Sequence, residues 1–388
     1  MNKALLLLPG PVTVAQPVLE AMARPMINHR GAEFAAMLRR IEAATKPVFG
    51  TQGDVLMLGC SGTGGLETAA ANLFSPGDVV LSCSVGVFGR RFAGIVRGFG
   101  CTVESLETPP GAALDPEALR ERLRADAERR IAGILLTHNE TSTGVQNDMA
   151  ALAPIVREHG ALTLVDSVSG LGASEFRMDE WEYDAVVTAS QKALGAPPGA
   201  AMVAFSPRAW QRMKRSTTPR FYFDLARARE AAREGQTPWT PPISILYALD
   251  VALQRYHAEG MHDAFARHAR YAAAVRDALE AMGFTIFSRP GAHSVTVVAA
   301  YPPEGVDATA LLTRLRERYG VVLSGGQAEF AGKIVRFGTM GDVSDGDLVG
   351  AIGALELALA DLEAANVPGA GTTAAIRRLS QVPASLLR

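Results

Sequence analysis

The sequence predicts an α/β fold, with a large domain on a mostly parallel central sheet and a smaller α+β domain at the C-terminal end. Two observations carry this. Helical periods alternate with short apolar runs through the first half of the chain. Three of those runs, residues 131–136, 161–165 and 185–187, have the length and composition of buried parallel strands. Each ends at once in polar residues: 137–141, 166–167 and 188–192. In an open parallel sheet, ligands bind beyond the carboxyl ends of the strands, so three polar strand ends point to one shared site.

The elements follow in order. Residues 33–46 read as a helix, because Phe34, Met37, Leu38 and Ile41 recur at helical spacing and Pro47 is a stop. Asp115-Pro116-Glu117 opens another, with an N-cap, proline at the first position and an acid in the first turn. Residues 219–242, rich in proline and arginine, read as a long surface or interface loop. Helices are expected at 243–256 and 262–282, the second closed by Gly283. A strand (294–300), a helix (307–319), strands around Val321 and 333–337, and a helix from Ser344 complete the smaller unit. Ser344 and Asp347 form a capping-box-like pair there. The expected division is an N-terminal segment lining the site (1–18), a large domain (19–257), a small domain (258–366) and a tail (367–388) of little periodicity and little order.

Composition narrows the function. The 388 residues are 48% hydrophobic and 20% charged, which supplies buried cores and excludes disorder and collagen. A formal charge of −2 gives no electrostatic case for nucleic acid or an anionic membrane. Cys60, Cys83 and Cys101 contain no CxxC pair, so neither a disulfide framework nor a zinc site is expected. His257, His262 and His268 do not share a helix face as metal ligands would. The apolar run 4–8 is shorter than a signal-peptide core and no run spans a bilayer, so a cytoplasmic location is expected.

Three segments carry chemistry. Gly59-Cys60-Ser61-Gly62-Thr63-Gly64-Gly65-Leu66-Glu67 lies between an apolar run and a helix with Leu66, Ala69, Ala70 and Leu73 on one face. Its glycines admit close approach, and the N–H groups of the helix suit a phosphate. The dinucleotide fingerprint fails, since Glu67 stands where the third glycine belongs, and the P-loop GK[ST] is absent. Taken alone, a tight strand-to-helix turn is the more ordinary reading of the segment. Asp166 at a strand end needs a cation or donor to offset desolvation, or else caps the next element. Lys192 sits among small uncharged residues, which favours a partly buried amine of lowered pKa able to form a Schiff base over an ordinary solvated lysine. A phosphate cradle, an acid and an amine on neighbouring strand ends are what pyridoxal 5′-phosphate requires.

With these residues in place, the chain resembles the class V, fold-type I, pyridoxal-phosphate-dependent aminotransferases of the alanine–glyoxylate and serine–glyoxylate group. The resemblance runs from Leu6-Leu7-Leu8-Pro9-Gly10-Pro11 to about Gly341. It rests on Ser61-Gly62-Thr63-Gly64-Gly65-Leu66-Glu67, His138-Asn139-Glu140-Thr141-Ser142-Thr143-Gly144, Asp166-Ser167-Val168 and Ser190-Gln191-Lys192. It implies that Lys192 holds the cofactor as a Schiff base and Asp166 pairs with its ring nitrogen. Thr63, Gly64 and Gly65 would hold the phosphate with Gln191; Thr141 would approach the ring hydroxyl. Val168 would pack under the ring, and Phe88 would stand where the family places a stacking aromatic. Thr240 would reach the phosphate of a partner subunit's cofactor, implying a homodimer with shared sites. Thr237 and Gly65 replace a Tyr and a His of some members. Arg336 matches the arginine that grips the substrate carboxylate, and Gly10 would line the substrate pocket.

The expected activity is therefore ping-pong transfer of an amino group from alanine or serine to glyoxylate or pyruvate. One assigned arginine favours small donors, unless Arg30 or an arginine of 219–233 clamps a second carboxylate; aspartate or a pyridoxamine-like amine is the alternative donor. A cysteine desulfurase would need a nucleophilic cysteine late in the chain, yet all three precede Lys192. The failed glycine fingerprint counts against a nicotinamide-dependent dehydrogenase. Intact Lys192, Asp166 and Arg336 count against a non-catalytic subunit.

Overall fold

A computed structural model describes residues 4–364 and 367–381. The strands are β1 (Leu5–Leu6), β2 (Val55–Leu58), β3 (Val79–Ser84), β4 (Thr102–Glu107), β5 (Ile131–Thr137), β6 (Asn139–Glu140), β7 (Val145–Gln146), β8 (Leu162–Asp166), β9 (Ala185–Ala189), β10 (Ala201–Phe205), β11 (Thr285–Ile286), β12 (Val297–Tyr301), β13 (Val321–Val322), β14 (Ser324–Gly325) and β15 (Val335–Gly338). The helices are α1 (Gln16–Ala21), α2 (Ala32–Phe49), α3 (Gly62–Leu73), α4 (Val87–Gly98), α5 (Pro116–Arg124), α6 (Met149–His159), α7 (Pro207–Met213), α8 (Leu225–Arg233), α9 (Ile243–Glu259), α10 (Met261–Ala281), α11 (Ala308–Tyr319), α12 (Asp345–Asp361) and α13 (Ala370–Leu379).

Seven strands form the main sheet in the order β2-β10-β9-β8-β5-β3-β4. Only β10 runs against its neighbours; every other pairing is parallel. The central strands β8, β9 and β10 are buried along their whole length, as strands covered on both faces must be. One apolar core packs α2, α6 and α9 on the sheet and another packs α3, α4 and α7, so helices cover both faces. A second sheet, β11-β12-β15-β14, is wholly antiparallel and shares a separate core with α10, α11 and α12. The N-terminal segment joins that unit: β1 pairs in parallel with β13, Leu5 beside Val321. The expected α/β class with a mostly parallel sheet therefore holds.

Three elements differ from expectation. Pro47 does not stop α2 but lies inside its last turn, and the helix ends at Gly50 in the left-handed region (φ +64°). Residues 219–242 are not all loop. Asp224 caps α8 by accepting from the N–H groups of Ala226 and Arg227, and Leu225 and Ala228 are buried. The tail, expected to lack order, forms α13, with Ala375 and Leu379 buried in the smaller core. Gly371 allows the close contact: a Cβ there would lie 2.8 Å from Met282. The remainder of the tail, 382–388, lies outside the described residues.

Candidate active site

Strand register assembles the site. Asp166 closes β8 beside Thr137 of β5 and Val187 of β9, and Lys192 follows β9 in the next turn. The Asp166 side chain is buried, and its Oδ1 accepts the Val168 N–H at 3.0 Å. Burial raises its pKa from the ordinary 3.8 to about 6, with the Lys192 charge opposing. Burial equally lowers the Lys192 amine from 10.5 to about 8, opposed by the Asp166 charge. Its Nζ donates to the Pro9 carbonyl. Gly10 leaves the lysine its space, since a Cβ there would stand 2.6 Å from Nζ, and its φ of +121° favours glycine independently.

These groups border a cavity of about 280 Å³. Of the predicted residues, Gly10, Thr63, Phe88, Thr141, Asp166, Val168, Gln191 and Lys192 all line it. Ser61, Gly62, Arg91, Asn139 and Ser169 line it too; Ser61, Gly62 and Asn139 lie in the quoted motifs without an assigned role, and Arg91 and Ser169 lie outside them. The amino end of α3 opens onto this space through Ser61, Gly62 and Thr63, and no side chain caps that helix. An uncapped helix amino end presents free N–H groups and the positive end of the helix dipole. Gln191 brings an amide whose buried Oε1 has no hydrogen-bond partner among the described residues.

The glycines divide by role. Gly62 lets Val168 approach, as a Cβ there would meet Val168 at 2.8 Å. Gly65, predicted to hold a phosphate, does not line the cavity. It is buried where a Cβ would meet Val187 at 2.8 Å and Ala201 at 3.0 Å, so it serves the packing of α3 on the sheet. Gly64 also stands off the cavity wall, beside Cys60.

Arg336 belongs to the other sheet and does not line the cavity, but it bonds the main chain of Thr141, which does. It lies on β15, only 6% exposed, donating from Nε to the Gly325 carbonyl at 2.7 Å and from Nη1 to the Thr141 carbonyl at 2.9 Å. Those two bonds fix the guanidinium and leave Nη2 without a bond of its own among the described residues. Sequence reasoning missed Glu140. Its buried carboxylate accepts from the N–H groups of Phe88 and Gly89 and from Ser142. The available signal was a lone acid inside an otherwise uncharged polar strand end.

Arg30, Thr237 and Thr240 are not brought to the cavity either. Arg30 donates to the Gln236 side chain at 2.9 Å and the Thr237 carbonyl at 2.7 Å, which makes it a loop clasp rather than a second substrate clamp. Thr240 is exposed and outside this chain's cavity. Thr237 bonds the Trp239 carbonyl at 2.7 Å.

One amine, one buried acid and one anion-receptive helix end thus border a single space, and a fixed arginine is bonded to Thr141 on its wall. Comparison with known proteins gives the family of the chain as a whole. Residues 16–338 match the family model described as Aminotransferase class-V. The chain is 39% identical over 382 residues to the soluble hydrogenase small subunit of Synechococcus sp. (strain PCC 6716), covering 98% of this chain and 99% of that one. It is 38% identical over 383 residues to the L-aspartate–glyoxylate aminotransferase of Paracoccus denitrificans (strain Pd 1222), covering 97% and 96%. The solved pyridoxamine-pyruvate aminotransferase from Mesorhizobium loti superposes with a TM-score of 0.93 at 32% identity, covering 98% of each chain. The chain therefore belongs to the class-V aminotransferase family.

Proposed function

We propose that the chain is a pyridoxal 5′-phosphate-dependent transaminase that moves the amino group of a small amino acid, alanine or serine, to glyoxylate or pyruvate. The observation that carries this reading is that Lys192, an amine of lowered pKa, and Asp166, a buried acid, line the same cavity. The residues fit the cofactor. The uncapped end of α3, with Thr63 and the Gln191 amide, suits its phosphate, and Phe88 and Val168 supply apolar walls for its ring. Bound there, the cofactor supplies an electron sink that makes the Cα–H of an amino acid acidic.

The chain's own groups do the rest. Lys192, once its amine is neutral, is a base placed in the cavity to take a proton and return it. Asp166 keeps a negative charge at the buried end of the site. Arg336, pinned by Gly325 and Thr141, holds a substrate carboxylate through its remaining N–H groups and so orients Cα. A donor and an acceptor that use the same arginine in turn require a ping-pong order.

A dicarboxylic donor is the second reading. Arg91 lines the cavity with its guanidinium 4.6 Å from the centre of the Phe88 ring, and it forms no ion pair with an acid among the described residues. The Paracoccus relative is named for aspartate as donor. A homodimer with shared sites also belongs to the proposal: Thr240 is exposed beside the stacked aromatics Phe221, Tyr222 and Trp239, of which Phe221 is 65% exposed. The test is the visible absorption of the purified protein before and after alanine, followed by a panel of donors against glyoxylate, pyruvate and 2-oxoglutarate. A cofactor band that alanine shifts supports the reading. A protein without the band, or one whose band ignores every amino acid, contradicts it.

A further inference from the structure

We propose that Glu140 is a positioning residue of this active site, tying the first turn of α4, which carries Phe88, to the strand end that carries Thr141 and through it Arg336. The inference rests on the reading that the cavity takes pyridoxal 5′-phosphate against Phe88.

Four hydrogen bonds converge on one buried carboxylate. Oε2 accepts from the backbone N–H of Phe88 at 3.0 Å and of Gly89 at 3.1 Å. Oε1 accepts from the Ser142 N–H at 3.0 Å and the Ser142 hydroxyl at 2.6 Å. That hydroxyl in turn accepts the Val87 N–H at 3.0 Å. The first three N–H groups of α4 therefore all end on Glu140 and Ser142, two residues of a different element. The N-cap residue of α4 is Gly86, which has no side chain to do this work. Its bareness also permits the approach: a Cβ at Gly86 would stand 2.5 Å from the Glu140 side chain and 2.6 Å from the Ser142 hydroxyl.

The same short segment faces the other way through its main chain. The Thr141 carbonyl, one residue from Glu140, accepts from Arg336. Side chain toward α4 and main chain toward β15, residues 140–142 fix the spacing between the aromatic wall and the arginine. Both serve the proposed reaction, one against the cofactor and the other on the substrate carboxylate. A carboxylate suits four converging donors because it offers only acceptors. A glutamine would turn its NH₂ toward a donor at one end or the other. The negative charge also matches the positive end of α4.

The experiment measures the affinity of cofactor-free protein for pyridoxal 5′-phosphate by equilibrium dialysis. The unsubstituted protein comes first, and its failure to bind would defeat the functional reading itself rather than the role of Glu140. Given binding, Glu140→Gln should raise Kd about tenfold or more. In a Phe88→Ala background the same substitution should change Kd less than about twofold, because its effect passes through Phe88. Ser142→Ala, which removes only the hydroxyl from the cluster, should shift Kd in the same direction by several-fold, and it decides the matter should Glu140→Gln not fold. An unchanged Kd in the variants that fold, or an equal effect of Glu140→Gln with and without Phe88, overturns the proposal.

Discussion

The amine of Lys192 is the group that the cavity alters in a way pH can read. An ordinary lysine titrates at 10.5, and burial brings this one to about 8. At pH 7 that change raises the free-amine fraction from about 0.03% to about 9%, a gain of roughly 300-fold. Only the free amine attacks an aldehyde. The rate at which cofactor-free protein captures pyridoxal 5′-phosphate, followed by stopped-flow absorbance from pH 6.5 to 10, should therefore climb about tenfold per pH unit and level off near pH 8. Asp166 opposes the effect of burial, because its negative charge favours the ammonium form. Asp166→Asn should consequently move the bend to lower pH. A rate that climbs without a bend to pH 10, or a bend that moves upward in Asp166→Asn, would refute the assigned environment of both residues.

Other outcomes follow from the same geometry. The Asp166 carboxyl titrates near 6 in the folded protein against 3.8 unfolded, so the stability its neutral form contributes is complete below 3.8 and lost as pH rises through 6. Asp166→Asn should therefore stabilise cofactor-free protein above pH 6 by up to about 3 kcal/mol in urea unfolding, with the gain fading toward pH 4; equal stability at pH 8 would contradict the burial cost. Arg336→Lys cannot bond Gly325 and Thr141 while presenting a fork, and the KM for amino acids should rise about 10- to 100-fold with cofactor affinity unchanged. An equal loss of cofactor binding would show that Arg336 shapes the cofactor pocket instead. Gly10→Ala would set a Cβ against Lys192 Nζ at a φ of +121°, and capture of the cofactor should slow about tenfold or more. An unchanged stopped-flow rate would mean that the lysine has more room than its neighbours allow.

What was legible in the sequence was local. Apolar runs that end in polar residues located β5, β8 and β9 within two residues, and the register of those strands then brings Asp166 beside Thr137 and Val187. The glycines before α3 were recognisable as close-approach residues, but which surface each one approaches was not. Gly62 admits Val168 near the cavity, whereas Gly65 admits Val187 and Ala201 beneath the helix, and only the packing of α3 on the sheet separates the two. Glu140 stood in a quoted motif, yet its partners on α4 lie about fifty residues earlier, a distance no short-range pattern spans. The helix in 219–242 was hidden because proline and arginine outweigh the Asp224 cap that starts it. The tail helix α13 has few apolar positions, and its order comes from tertiary packing: Ala375 and Leu379 enter a core built by α10 and α12.

Whether Lys192 carries the cofactor is settled by borohydride reduction of the purified holoenzyme followed by peptide mapping. The reduced cofactor should be found on the peptide that contains Lys192 and absent from the same treatment of Lys192→Ala. A label on the peptide of Lys46, Lys214 or Lys333, or full transamination by Lys192→Ala, would contradict the site described for this chain.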